Sequence, residues 1–208
     1  MEFKDLVMDR RTIRRFLPDA VSNGVVREIL TIATHACNSG NEQLWQFIAI
    51  RSQNLKAQIY QTLREKADDL LDRVANSRGG KRPVYNPQDF FLEAPVVLAV
   101  ATAGGTYRTK PDLLMLEAGF SEMEILNLRS RGDLQTLGAV IQLILLAAWE
   151  RGLGGCWMTG PLYARMELED LLGLGRGDQL AAFIPLGQPA AIPDVKGRKP
   201  VEEVLRFV

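Results

Sequence analysis

Four arginines stand within six residues near the start of the chain, Arg10, Arg11, Arg14 and Arg15 in DRRTIRRF, with Thr12 between them. Guanidinium forks match phosphate oxygens two at a time and a threonine hydroxyl adds a donor, so this segment could hold a phosphorylated ligand. A solvated basic face or an RNA-contacting patch uses the same letters. Lys196, Arg198 and Lys199 in PDVKGRKP form a second basic cluster, which as plain structure is a solvated loop. Two stretches between them offer contacts to a flat ring. In CNSGNEQLW at 37–45, Asn38, Ser39, Asn41 and Gln43 could hydrogen-bond the carbonyls and nitrogens of a heteroaromatic. In GLGGCWMTGP at 152–161, Trp157, Met158, Thr159 and Gly160 present backbone donors that small neighbours allow close to a planar ring. As plain structure, the first is a turn after a helix end and the second a helix exit into a tight turn.

Side-chain chemistry is otherwise scarce. A nucleophile–base pair or a histidine metal site would have to use His35, the single histidine, at the end of an apolar helical pattern where the helix dipole favours it structurally. Cys37 and Cys156 form no CxxC pair, so no metal site and no disulfide framework is expected. Neither GxxxxGK[ST] nor GxGxxG appears, and GLGRG at 173–177 lacks the required spacing and preceding strand. A chain so supplied can still be an enzyme if a cofactor carries the difficult step. Twenty-five Lys plus Arg balance twenty-five Asp plus Glu, so no global field draws the chain to nucleic acid or to an anionic membrane. The start, MEFKDLVMDRR, has no basic segment followed by an apolar one, and the expectation is a cytoplasmic protein.

The elements that must position these residues are read from periodicity. Ser22 caps a helix carrying Val25, Val26, Ile29, Leu30, Ile32 and Ala33; WQFIAIR at 45–51 reads as a strand, and 54–75 as a helix. APVVLAVATA at 94–103 is the composition of a strand covered on both faces, and AAFIPL at 181–186 is another. Residues 104–132 read as a loop plus a helix, after which DLQTLGAVIQLILLAAWERG is a helix apolar nearly all round, buried in a core or an interface rather than in a membrane. Pro189, Pro193 and Pro200 make an extended tail, and an extended tail beside so apolar a helix predicts a homodimer that exchanges its termini.

In chain order, RRTIRRF, the SGNxQxW turn, GLGGCWMTG after a long apolar helix, then LGxP and KGRKPVEEV together resemble the nitroreductase family of FMN-dependent flavoproteins, from about residue 8 onward. The family's turn reads APSSxNxQPW; Ala36, Ser39, Asn41, Gln43 and Trp45 match it, while Cys37, Asn38 and Leu44 depart. The resemblance implies one α+β domain over 1–208, with a central mixed sheet flanked by helices, in an interlocked homodimer whose C-terminal segments cross and whose interface holds two FMN molecules. By position, Arg10, Arg11, Thr12 and Arg14 would hold the FMN phosphate and ribityl chain, and Lys196 and Arg198 would close on the phosphate. Asn38, Ser39 and Asn41 would come from the partner. Gln142 would lie near the isoalloxazine, and Trp157, Met158, Thr159 and Gly160 would cross the ring edge. Residues 104–132, with Tyr107, Arg108 and Phe120, are a candidate lid. The implied activity is ping-pong transfer of two electrons from NAD(P)H to a small acceptor such as a nitroaromatic or quinone, with no catalytic side chain from the protein. Flavin fragmentation, reductive dehalogenation and non-catalytic flavin binding are the alternatives on the same fold.

Overall fold

The small and β-branched run at the middle of the chain forms a strand, β2 (Val96–Ala101), that is buried at every position in the computed structural model. The structure describes residues 2–77, 79–103 and 109–208. β2 pairs on one side with β1 (Gln46–Ile50) and on the other with β4 (Leu180–Gly187), which in turn pairs with the short β3 (Gly154–Gly155). The registers align Phe47 with Val100, Leu98 with Ile184, and Gly155 with Leu186. In place of the expected mixed sheet, every strand pairing among the described residues is antiparallel, and parallel geometry occurs there only as a bridge between Thr12 and Gly155.

Both faces are covered, which is why β2 alternates no polar residues. One face, through Val96, Leu98, Val100, Ala182, Ile184 and Leu186, packs against α2 (Asn23–Ala33) and α6 (Gly132–Glu150). The other, through Val97, Ala99 and Phe183, packs against α3 (Gln53–Ser77) and α7 (Arg165–Leu172). The Ser22 cap is present, its Oγ accepting from the Val25 N–H at 3.2 Å. Helix α6 would pass as a membrane span by length and composition, yet its Leu137, Val140, Ile141, Ile144 and Leu145 are core residues. Gly138, Ala139, Gln142 and Leu143 of the same helix stay partly or fully exposed. The buried Lys56 ties α3 to the approach to β2, its Nζ donating to the carbonyls of Leu92 at 3.1 Å and Ala94 at 2.7 Å.

Two helices were not read from sequence: α1 (Phe3–Asp9), which buries nothing, and α7, which buries Leu168 and half-buries Leu171 and Leu172. Within 104–132, residues 104–108, including Tyr107 and Arg108, lie outside the described residues. The remainder forms two helices rather than one, α4 (Lys110–Glu117) and α5 (Glu122–Leu128), each opened by a capping box, Thr109 with Asp112 and Ser121 with Glu124. The tail from Ala191 is exposed throughout, Phe207 at 89%.

The extended segment 10–16 docks where β3 is made of glycine. Ile13 is wholly buried, its N–H donates to Gly155 O at 3.0 Å, and its side chain fills the space a Cβ on Gly154 would occupy. Gly154→Ala is therefore expected to lower stability by about 1–3 kcal/mol, since overpacking here meets a β-branched side chain with no room to turn. Denaturant unfolding measures it, and a midpoint equal to wild type would show that the segment does not pack as described.

Candidate functional site

Segment 10–16 lies along Gly155 and returns against the end of β4, with Leu17 N–H donating to Gln188 O at 2.9 Å and Ala190 N–H to Arg15 O at 3.0 Å. This fixes the backbone from which the arginines project. The four do not act alike. Arg11 turns back on the helix before it, Nη1 donating to Met8 O at 2.6 Å and Arg10 O at 3.0 Å, and so serves the carbonyl end of α1. Arg14 lies over the Phe90 ring at 5.9 Å and beside the Cys156 thiol. Arg15 is exposed. Arg10 is half-buried, and its Nη1 is buried with no hydrogen-bond partner among the described residues.

The tail brings Arg198 to the same place. Burial first, then repulsion from Arg198 and Arg11, lowers the Arg10 pKa below the ordinary arginine value. Arg198 itself makes weak bonds to its neighbours' carbonyls, Lys196 O at 3.3 Å and Gly197 O at 3.4 Å. A buried guanidinium nitrogen left unsatisfied beside like charges is unfavourable in the ligand-free chain and favourable once an anion arrives. Lys196 is exposed on the same loop, and the half-buried Thr12 holds the bridge to Gly155. Cys156, buried between Arg10 and Arg14, has its thiol pKa raised by burial, with the two guanidiniums pulling the other way.

The ring-contacting candidates divide. Met158 spends its backbone on the sheet, its N–H donating to Phe183 O at 2.9 Å and its carbonyl accepting from Phe183 N–H at 3.0 Å. It cannot offer those groups to a ligand. Trp157, Thr159 and Gly160 are exposed on either side of it, and Trp157 stands over Gly138 of α6. Gln142 lies on the exposed face of α6. Asn38 is a staple of its own turn, Nδ2 donating to Ala36 O at 3.2 Å and Oδ1 accepting from Gln43 N–H at 3.0 Å. The turn it closes is strained: Gly40, Asn41 and Gln43 have φ of 61°, 55° and 53°. Left-handed non-glycine residues persist where surrounding structure over-determines them, often at ligand sites. Ser39 and Asn41 are exposed there.

What sequence reasoning missed lies at the start of α6. Arg131 donates to Asp133 through Nε at 3.1 Å and Nη2 at 2.7 Å, and Nη2 also reaches Gln179 Oε1 at 2.7 Å. Burial opposes the Asp133 carboxylate, but the Arg131 hydrogen bond and the Leu134 N–H hold its pKa below the usual value. A spacing of two residues before a helix carries no sequence signal for such a pair. Among the described residues no group of three metal ligands occurs.

Residues 7–188 match the Nitroreductase family. The chain is 27% identical over 206 residues, 96% of its length and 91% of the relative's, to the Bacillus subtilis (strain 168) protein named "Putative NAD(P)H nitroreductase YfhC". It is 25% identical over 201 residues, 97% of its length and 94% of the relative's, to an iodotyrosine deiodinase of Thermotoga neapolitana. Among solved structures it is similar to a BluB-like flavoprotein of Clostridium difficile 630, with a TM-score of 0.82, 29% identity, and coverage of 100% of this chain and 99% of that one.

Inorganic phosphate is expected to raise the thermal midpoint of the ligand-free protein. Arg10→Ala should remove most of that rise, because a charge-assisted hydrogen bond is worth about 1.5–3 kcal/mol. Equal responses in wild type and variant would assign Arg10 to packing instead.

Proposed function

Because the chain belongs to the nitroreductase family, we propose that it is an FMN-dependent oxidoreductase passing two electrons from NAD(P)H to a small-molecule acceptor such as a nitroaromatic or quinone. The observation that carries this reading is the buried, unpartnered Arg10 Nη1 beside Arg198, a cradle whose chemistry fits a phosphate monoester such as that of FMN. Arg10, Thr12 and Arg14 hold the phosphate and ribityl from the N-terminal segment, Arg11 adds charge from behind, and Lys196 and Arg198 close over it. Trp157, Thr159 and Gly160 meet the ring edge, with Met158 anchoring them to the sheet, and Gln142 faces the ring from α6. Bound FMN supplies hydride acceptance from a reduced nicotinamide and two-electron delivery to the acceptor in a ping-pong cycle. The protein's own residues bind and orient, and hydride transfer asks for stacking distance and alignment rather than an acid or base. No side chain is assigned a catalytic role.

The site is completed by a second copy in this reading. Ser39 and Asn41, on their strained turn, reach the ring of the partner's site, while Asn38 shapes that turn. The tail crosses to the partner, which would cover Val204 and Phe207, now 70% and 89% exposed, and the outer face of α6 would form the interface. The two cysteines are free thiols, which accords with a reducing cytoplasm. Residues 109–129 form the described part of a lid over the flavin, within a single domain.

A second reading, reductive dehalogenation on the same flavin, is favoured by the similarity to an iodotyrosine deiodinase along 97% of the chain.

The protein loaded with FMN and desalted is expected to keep its flavin spectrum and to be bleached anaerobically by NADH or NADPH. Retained flavin that neither nucleotide bleaches would favour the second reading, and a colourless protein would defeat both. Arg198→Ala is expected to weaken FMN affinity by about tenfold or more, from the loss of one charge-assisted contact. An unchanged dissociation constant would remove Arg198 from the phosphate site. Deletion of residues 199–208 is expected to convert the sedimenting dimer to monomer or aggregate, and an intact dimer would refute the crossing tail.

A further inference from the structure

Helices α4 and α5 are joined to the core by little apolar packing. Ile125 is their one buried apolar side chain, whereas Leu113, Leu114, Phe120, Met123 and Leu128 are exposed. Arg129 Nε, at the end of α5, lies 3.5 Å from Asp112 of α4 and joins the two helices to each other. Between the pair and the rest of the molecule lies a cavity of about 130 Å³ walled by Asn38, Leu44, Leu116, Ile125, Asp133 and Thr136.

The connection from α5 to α6 is a strained hinge. Ser130 and Arg131, consecutive and neither of them glycine, sit at φ 52° and 53°. The left-handed region is unfavourable for such residues, and a free connection of this sequence would leave it. The end of α5 caps the hinge, Ser130 N–H donating to Asn127 O at 3.1 Å and Arg131 N–H to Leu126 O at 3.0 Å, and the Arg131 side chain ties it to the rest of the molecule through Asp133 on α6 and Gln179. Gln179 is fixed to the end of β2, its N–H donating to Thr102 Oγ1 at 2.8 Å and its carbonyl accepting from Thr102 N–H at 2.9 Å. Gln135 Nε2 donates to Ser130 O at 2.8 Å and fastens the neighbouring residue.

We infer that Arg131 is a positioning residue: it latches the strained 130–131 hinge to the sheet and so sets α4 and α5 over the cavity, and its release lets the hinge relax and the pair swing open. The latch also builds the wall, since Asp133 lines the cavity that the pair covers. That the cavity receives the electron acceptor rests on the redox reading above; the latch itself does not.

Hydrogen exchange read by mass spectrometry on the FMN-loaded protein, repeated before loading, tests this. Arg131→Ala is expected to speed exchange in residues 109–129 by about tenfold while α2 and α3 keep their wild-type rates, because a latch releases one low-stability unit without unfolding the rest. Gln179→Ala, a milder change that frees the latch from the sheet, should move the same residues in the same direction. Ser130→Gly keeps the latch and removes strain, so exchange there should slow. In turnover, Arg131→Ala should raise the acceptor KM by about tenfold with kcat much less affected, the mark of lost positioning. Exchange in 109–129 unchanged in both Arg131→Ala and Gln179→Ala, or accelerated equally in α2 and α3, would overturn the inference. A wild-type protein that holds no flavin would defeat the redox reading and leave the exchange result to decide the latch.

Discussion

The arrangement depends on how closely the N-terminal segment approaches β3. Two glycines leave Gly154 and Gly155 without side chains, and Ile13 occupies the space this opens, completing the core on the side of α3 and α7. Once Ile13 is seated, Thr12 must bridge to Gly155, and Arg10 and Arg14 must project beside Cys156. The cationic site is thus a consequence of core packing. A side chain at position 154 would displace the strand-like segment and with it the arginines, although none of them touches that residue through a hydrogen bond.

Close approach also brings together charges that repel. A chain of zero net charge has concentrated Arg10, Arg11 and Arg198 in one place, two of them partly buried. Such a cluster is unfavourable without an anion, and the fold offsets it locally: Arg11 is neutralised in part by helix-end carbonyls and Arg14 by an aromatic face. Arg10 receives no such relief from a hydrogen-bond acceptor at Nη1, which makes it the member most responsive to a bound phosphate.

A second concentration of unfavourable free energy lies in backbone conformation. The turn at 40–43 and the hinge at 130–131 both hold non-glycine residues in the left-handed region, and both are fastened by side-chain hydrogen bonds, from Asn38 in one case and Arg131 in the other. Both border the same cavity, through Asn38 and Asp133. Among the described residues, non-glycine left-handed backbone occurs in these two segments alone, beside the space where a ligand would enter.

Much of the scaffold was legible in the order of residue types. The Ser22 cap, the buried strand at 96–101, the long helix after it and the succession of four polar motifs follow from local propensity and periodicity, which act over a few residues and need no knowledge of distant partners. Helix α1 escaped because an amphipathic signal requires a buried face and it has none, and α7 because eight residues with Leu168, Leu171 and Leu172 on one side give too short a pattern to stand out. The sequence by itself determined that Arg10, Arg11, Arg14 and Arg15 could hold an anion, and its resemblance to the family added Lys196 and Arg198 to the same one. Only the tertiary structure decided that Arg10 and Arg198 meet, that Arg11 faces a helix end, that Met158 is consumed by β4, and that Arg131 fastens a hinge to Gln179. The physical reason is that each of these outcomes depends on a hydrogen-bond acceptor or a like charge supplied by a part of the chain remote in sequence or by the local turn of the backbone. Composition and spacing specify which groups are available, and packing alone determines which of them are left with an unmet demand.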